Sequence, residues 1–105
     1  MWTYVYPSSE AVVEDGLAVG EVVQWRVRAP DEDDELPVMP PDLEGTVDRV
    51  EVDDGGERAS GTITRIIMLT GRRRTAASEI TATPAEHVQV LDLAGFLVAL
   101  DPAST

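Results

Sequence analysis

The segment from Gly61 to Leu69 contains the longest run of β-branched and apolar residues in the chain. Such side chains favour the pleated surface of a β-strand, in which successive residues point to opposite faces. One face of this strand is predicted to be buried, and it carries Ile63, Arg65, Ile67 and Leu69. The other face becomes apolar from Ile66 onward, so this end is predicted to be covered on both sides, as in a central strand.

A near copy of this strand occurs upstream, where Gly45 to Val50 repeats Gly61 to Ile66 as Gly-Thr-aliphatic-x-Arg-aliphatic. The two copies flank the stretch from Asp53 to Glu57, which contains two consecutive glycines. Paired glycines between two strand patterns are typical of a tight reversal of the chain. We therefore predict that the two copies form one β-hairpin.

Another strand signal lies between Leu17 and Arg28. Val23, Trp25 and Val27 alternate there with polar residues. This alternation is typical of an antiparallel strand with one buried face. We expect Trp25 to anchor the core.

The N-terminal segment from Trp2 to Tyr6 alternates aromatic and smaller residues and ends at Pro7. It predicts a short first strand that could lie at a sheet edge. The segment from Glu10 to Asp15 fits either a strand or a single helical turn before the Asp15-Gly16 turn signal.

The C-terminal third gives mixed signals. Thr83 to Glu86 combines a capping Thr, a Pro at the first helical position and a Glu three residues after the Thr, which predicts one helical turn at Pro84 to Glu86. The following apolar residues fit either a helix or strands, and Gly95 and the valines favour strands from Val88 to Leu91 and from Phe96 to Leu100. Residues 76–83 show no strong period.

About six short strands and no long helix predict an all-β fold for a single domain of residues 1–105. The alternatives are a small antiparallel barrel, SH3-like or OB-like, and a sandwich. A barrel leaves fewer open strand edges. The acidic, Pro-rich stretch at 29–44 is predicted to be a mobile loop.

The net charge of -12, from 20 acidic and 8 basic residues, changes the functional expectations. A field this negative repels phosphate backbones and anionic lipid surfaces, so nucleic-acid and membrane partners are disfavoured. The absence of cysteine excludes disulfides and thiolate metal sites. No apolar stretch is long enough to span a bilayer and the chain does not begin like a signal peptide, so we expect a cytoplasmic protein.

Catalytic signals are weak. His87 is the only histidine, and no nucleophile motif surrounds any serine. The alternating acids Asp31, Asp33 and Glu35 resemble the start of a calcium loop, but Leu36 stands where that loop needs Gly. We therefore expect a non-enzymatic protein without a cofactor or a metal site.

Ten residues are candidates for contacts with a partner. They are Asp31, Glu32, Asp33, Asp34, Glu35, Arg72, Arg73, Arg74, Trp2 and Tyr4. The arginines could instead pair with internal carboxylates, and the two aromatic residues would belong to the core if they pack on Trp25. For Arg65, a bulge could turn the side chain to solvent, or its head could meet a carboxylate such as Glu51 or Asp48.

Three segments, Val19 to Trp25, Gly61 to Ile66 and Gly95 to Asp101, together resemble an uncharacterised family of small actinobacterial proteins. The resemblance covers most of the chain and implies an all-β fold. Members of that family carry a cysteine pair in the N-terminal region, which this chain lacks. The shared motifs are structural rather than chemical, so the resemblance implies no activity.

Two non-enzymatic functions remain open at this point, beside the disfavoured alternative of an enzyme that uses His87. The first is a protein-interaction module, acting as an acidic regulator or as a mimic of nucleic acid, with another protein as its partner. The alternative is a barrel that binds a small ligand or nucleic acid through Arg72 to Arg74 and the N-terminal aromatic residues. The oligomeric state is undetermined in both.

Overall fold

Six β-strands and one π-helical turn form the regular structure of the described part of the chain. The computed structural model describes residues 2–31, 34, 47–52, 54–71, 76–83 and 92–102. The strands are β1 (Trp2–Val5), β2 (Val22–Arg28), β3 (Val47–Val52), β4 (Glu57–Thr70), β5 (Ala76–Ile80) and β6 (Leu93–Pro102), and the π-helical turn is Ala11–Asp15.

Five of the strands close into a ring in the order β1, β3, β2, β4, β6 and back to β1. The pairing of β1 with β3 is parallel and the other four pairings are antiparallel. The sixth strand, β5, pairs with the second half of β4. The predicted small all-β barrel is confirmed, with one parallel pair where only antiparallel pairs were expected. The edge position considered for β1 is wrong, because β1 lies between β3 and β6.

The predicted hairpin of the two Gly-Thr copies is also wrong. Both β3 and β4 are antiparallel to β2 and lie on opposite sides of it, so they run in the same direction. The two strands of a hairpin run in opposite directions. Here β3 and β4 run in the same direction, and the connection between them passes from one side of β2 to the other. Gly56 makes the crossing possible, because its φ is +69° and a Cβ there would overlap the main-chain carbonyl of Val27.

A β-bulge in β4 changes the predicted faces of that strand. The register with β6 shifts between Ile63 and Arg65, so one extra residue is accommodated there. As a result Ile66 joins Ile63 in the core inside the ring, whereas Ile67 and Leu69 face the opposite side. The strand is buried on both faces beyond the bulge, as predicted for its second half.

The core therefore has two parts. The inner core lies inside the ring and contains Val5, Val12, Leu17, Val23, Trp25, Val27, Ala59, Ile63, Ile66, Phe96 and Val98. The outer core lies on the opposite face of the sheet and contains Trp2, Tyr4, Val50, Ile67, Leu69 and Leu97. The prediction that Trp25 anchors the core is confirmed, as is the alternation along β2.

The remaining local predictions divide into three groups. The helical option for the segment before Gly16 is confirmed by the π-helical turn, and β6 is a strand as predicted but longer. The exposed strand β5 was not predicted. Three predictions lie outside the described residues: the helical turn at Pro84 to Glu86, the strand from Val88 to Leu91 and most of the loop at 29–44.

Candidate functional site: an acidic groove beside β2

A groove of about 410 Å³ lies between the π-helical turn, the first half of β2 and the end of β3. It exists because β3 pairs with β2 only from Arg26 to Arg28, whereas β4 pairs with β2 from Val22 onward on the other side. Within the described ranges, no strand pairs with Val22 to Trp25 on the groove side. Main-chain N–H and C=O groups of alternate residues in this part of β2 therefore face the groove.

The groove is strongly acidic. Four carboxylates line it, those of Glu10, Glu14, Glu21 and Glu51, against one guanidinium, that of Arg26. Glu10, Glu14 and Glu21 are exposed, so they form its solvent side. A concave surface lined by one sign of charge focuses the electric field and attracts ions of the opposite sign.

Glu51 differs from the other three carboxylates because it is buried, at 7% exposure. The Ser9 hydroxyl donates a hydrogen bond of 2.7 Å to Glu51 Oε2, and the Ala11 main-chain N–H donates to Ser9 Oγ at 3.3 Å. These bonds connect β3 to the start of the π-helical turn, and buried carboxylates require such donors. Glu51 also borders a second cavity of about 220 Å³ beside Tyr6 and Ser8.

Ser9 is one of the serines that no nucleophile motif surrounds. Its side chain is 5% exposed and its hydroxyl proton points to Glu51, so the residue is a structural donor. His87, the only histidine, lies outside the described residues. The expectation of a non-enzymatic protein stays a prediction.

The predicted acidic contact residues separate into different environments. Asp34 is held by Arg28, whose Nη1 and Nη2 donate at 2.8 and 2.6 Å, and by the hydroxyl of Tyr6 at 3.2 Å and the main-chain N–H of Asp31 at 2.6 Å. The hydrogen bonds from Arg28, followed by the other donors, hold the pKa of Asp34 well below its usual value. Asp34 is therefore an internal partner of Arg28, which corrects its assignment as a contact residue. Asp31 is exposed.

The other predicted contact residues of the charged runs lie outside the described part of the chain. They are Glu32, Asp33, Glu35, Arg72, Arg73 and Arg74. Their assignment as contact residues stays a prediction.

Trp2 and Tyr4 are core residues, at 8% and 2% exposure. They belong to the outer core, so the core alternative is confirmed, although Trp25 lies in the inner core and is not the residue they pack on. The Tyr4 hydroxyl donates to the main-chain carbonyl of Ala94. Desolvation, and secondly the neighbouring Tyr6, raise the pKa of Tyr4 to about 12. Neither aromatic residue offers an exposed surface, which corrects their assignment as contact residues.

The bulge in β4 turns Arg65 to the surface, which is the first of the two alternatives predicted for this residue. Its Nε and Nη2 donate to Glu79 Oε2 and Oε1 at 3.2 and 3.0 Å, and its Cζ lies 5.2 Å from the centre of the Trp2 ring. The hydrogen bonds from Arg65 lower the pKa of Glu79. The predicted carboxylate partners, Glu51 and Asp48, are wrong: Glu51 is bonded to Ser9, and Asp48 accepts the main-chain N–H of Trp2.

Sequence reasoning missed the groove. It treated Glu51 only as a possible partner for Arg65, and it gave no role to Glu10, Glu14 or Glu21. One signal was available. The period of two places Arg49 and Glu51 on one face of β3 and Val50 on the other, which separates Glu51 from the face of Val50. The residues that meet at the groove come from distant parts of the sequence, and only the pairing of the strands brings them together.

Two further observations concern metal ligands and membrane-spanning helices. In the part of the chain that the structure describes, no group of three or more His, Asp or Glu side chains is arranged to hold a metal ion. The same residues include no helix with the length and apolar character needed to cross a bilayer.

Comparisons with protein-family models, with curated proteins and with solved structures find no match to this chain. The actinobacterial resemblance therefore stays a hypothesis, and the function has to be inferred from the chain's own residues.

Proposed function

We propose that this chain is a non-enzymatic interaction module whose acidic groove receives cationic side chains of a partner protein. The observation that carries the proposal is the groove beside β2, where four carboxylates and one guanidinium line about 410 Å³. In this role the chain acts as an acidic regulator, or as a mimic that occupies the basic nucleic-acid site of another protein.

The lining of the groove suits an Arg or Lys side chain of the partner. Val23 and Trp25 contribute to the lining and offer apolar contacts to the methylene stem, while the carboxylates accept hydrogen bonds from the charged head. Glu51 is held by Ser9 before any partner arrives. A carboxylate that is already oriented loses little conformational entropy on binding.

The net charge of -12 supports the same partner class. The negative field of the chain accelerates the approach of a basic protein and repels acidic proteins. It therefore contributes to the association rate and to partner choice more than to affinity. A cytoplasmic location remains part of the proposal.

The second candidate, a barrel that binds a small ligand or nucleic acid, loses part of its basis. It relied on Arg72 to Arg74, which lie outside the described residues, and on N-terminal aromatic residues. Because Trp2 and Tyr4 are buried, they offer no stacking surface for a base.

Isothermal titration calorimetry with a capped tri-arginine peptide tests the proposal. We expect saturable binding at low salt that weakens as salt is added. The groove variant Glu14→Gln/Glu21→Gln should bind about two- to thirtyfold more weakly, since each of the two exposed charge pairs contributes roughly 0.2–1 kcal/mol. The control variant Glu57→Gln/Asp101→Asn removes the same charge from exposed positions that do not line the groove.

At about 0.1 M salt the control variant should change the dissociation constant by less than about twofold, because the Debye length is then roughly 10 Å and charges outside the groove are largely screened. Equal losses in the two variants would show that only the overall charge matters and that the groove is not the site. Absence of peptide binding at low salt would refute the proposal altogether.

A further inference from the structure

The edge of β5 that faces away from β4 is a second feature with the properties of a contact site; we call it the outer edge. Among the described residues, no strand pairs with it, and Ala76 to Glu79 are exposed. The pairing of β5 with β4 runs from Ala76 to Ile80 without a bulge, and β5 contains no Pro and no basic residue. Bulges, prolines and basic residues commonly prevent an edge strand from pairing with other chains, and β5 has none of the three.

A row of side chains leads across the sheet to this edge. It begins at the Trp2 ring on β1, passes over Ala99 on β6 to the Arg65 guanidinium on β4, and ends at the Glu79 carboxylate on β5. Ala99 is the residue opposite Arg65 in the register of β4 with β6, and its small side chain leaves room for Arg65 to reach Trp2.

The end of the row determines which side chain would extend it. The Glu79 side chain is 57% exposed although it accepts two hydrogen bonds from Arg65. Each carboxylate oxygen can accept a further bond, so a cation placed beside Glu79 on a neighbouring strand would continue the alternation of charge.

We propose that the outer edge of β5 accepts an extended cationic segment of a partner protein, which adds to the sheet as a further strand and places an Arg or Lys beside Glu79. Main-chain hydrogen bonds would supply the pairing and the charge beside Glu79 would supply selectivity. A second copy of this chain is the disfavoured occupant, because each copy carries a net charge of -12. The inference rests on the proposed function in one respect, that the partner is basic, but it concerns a different surface.

Hydrogen exchange tests the inference at the level of single amides. The probe is a capped peptide of alternating Arg and Val, and the control peptide carries N-methyl groups at alternate positions, which removes main-chain donors. We expect the first peptide to slow the exchange of the outward-facing N–H groups of β5 about tenfold at saturation, because these groups gain a partner. The N-methylated peptide should give no slowing there.

Two charge-reversal variants address selectivity. Glu79→Arg should weaken binding of the alternating peptide about three- to tenfold, because an attraction becomes a repulsion. Glu57→Arg makes the same change in net charge at an exposed position on the far half of β4 and should leave binding within about twofold. Glu79→Gln, which keeps the shape of the side chain, should give a smaller loss in the same direction.

The remaining outcomes separate this inference from the proposed function. Slowed exchange confined to Val22 to Trp25 would overturn the role of the β5 edge while supporting the groove. Slowed exchange in β5 without peptide, growing with protein concentration, would identify a second copy as the occupant and overturn the inference. No change at β5 at a saturating peptide concentration would overturn it as well, and the tri-arginine titration would still decide on the groove.

Discussion

Replacement of Gly95 by Ala should destabilise this fold strongly, and the structure gives the reason. Gly95 lies on β6 with φ at +136°, a conformation that L residues with a side chain rarely adopt. A Cβ at this position would lie 2.5 Å from Tyr4 Oη, 2.7 Å from Cζ and 2.8 Å from Cε2. Tyr4 has little freedom to move, because it is 2% exposed and its hydroxyl donates to the carbonyl of Ala94.

Two terms contribute to the expected cost. Backbone strain at positive φ costs about 1–2 kcal/mol, and forcing an extra carbon into a packed core costs about 1–3 kcal/mol. The sum is about 2–5 kcal/mol, a large share of the roughly 5–15 kcal/mol by which a domain of this size is stable. At about 4–8 °C for each kcal/mol, the melting temperature should fall by at least about 8 °C.

Gly20→Ala is the matched control for this prediction. Gly20 also has a positive φ, +92°, but nothing lies within 4 Å of the Cβ that Ala would add. It should therefore cost only the strain term of about 1–2 kcal/mol. Urea unfolding followed by circular dichroism measures both variants. Equal losses at the two positions would refute the close packing of Tyr4 on Gly95, and with it the described arrangement of β1 against β6.

Three further predictions follow from buried polar groups. The Thr3 hydroxyl is buried without a hydrogen-bond partner among the described residues, so Thr3→Val should raise the free energy of unfolding by about 1 kcal/mol in urea titrations, and a loss would contradict this environment. Ser9→Ala removes a donor from the buried Glu51 carboxylate and should cost about 1.5–3 kcal/mol, whereas Ser8→Ala, at an exposed position, should change the same measurement by less than about 0.5 kcal/mol. Because the pKa of Tyr4 is raised from 10.0 to about 12, folding favours its neutral form, so this contribution to stability is present below pH 10 and is lost as the pH rises toward 12. Between pH 10 and 12 the free energy of unfolding should decline less for Tyr4→Phe than for the wild type. Parallel declines in the two proteins would contradict the raised pKa of Tyr4.

The strands that could be predicted are those whose pattern is local. The alternation of Val23, Trp25 and Val27 reports directly on burial of one face, and β2 has that pattern. The same kind of signal does not specify which strand is a neighbour. The sequence therefore favours pairing of the two Gly-Thr copies with each other, whereas β3 and β4 each pair with β2. The Gly55-Gly56 pair fits both a reversal and a close approach of two main chains, and only the second occurs.

The bulge at Arg65 and the strand β5 were harder to predict for physical reasons. A bulge shifts the alternation by one residue, and an apolar run such as Ile66 to Leu69 hides that shift because both faces are buried. β5 is exposed along most of its length, so no hydrophobic period marks it. Its existence depends on main-chain pairing with β4, which leaves little trace in side-chain character.

The candidate site was outside the reach of sequence patterns. Glu51 is buried and bonded to Ser9, and both facts depend on the ring that brings β3 beside the π-helical turn. The acidic run was the obvious charged feature, yet Asp34 of that run is occupied by Arg28. Charge density in the sequence supports the proposed cationic partner class, but it does not indicate which surface would bind that partner.

The most direct test of the central claim is a map of amide chemical-shift changes during titration with tri-arginine at low salt. The proposed groove predicts changes that saturate together and cluster at Val22 to Arg26, the π-helical turn and Glu51. Changes spread evenly over the exposed acidic residues, or concentrated beside Asp31 with none at β2, would contradict the assignment of the groove as the binding site.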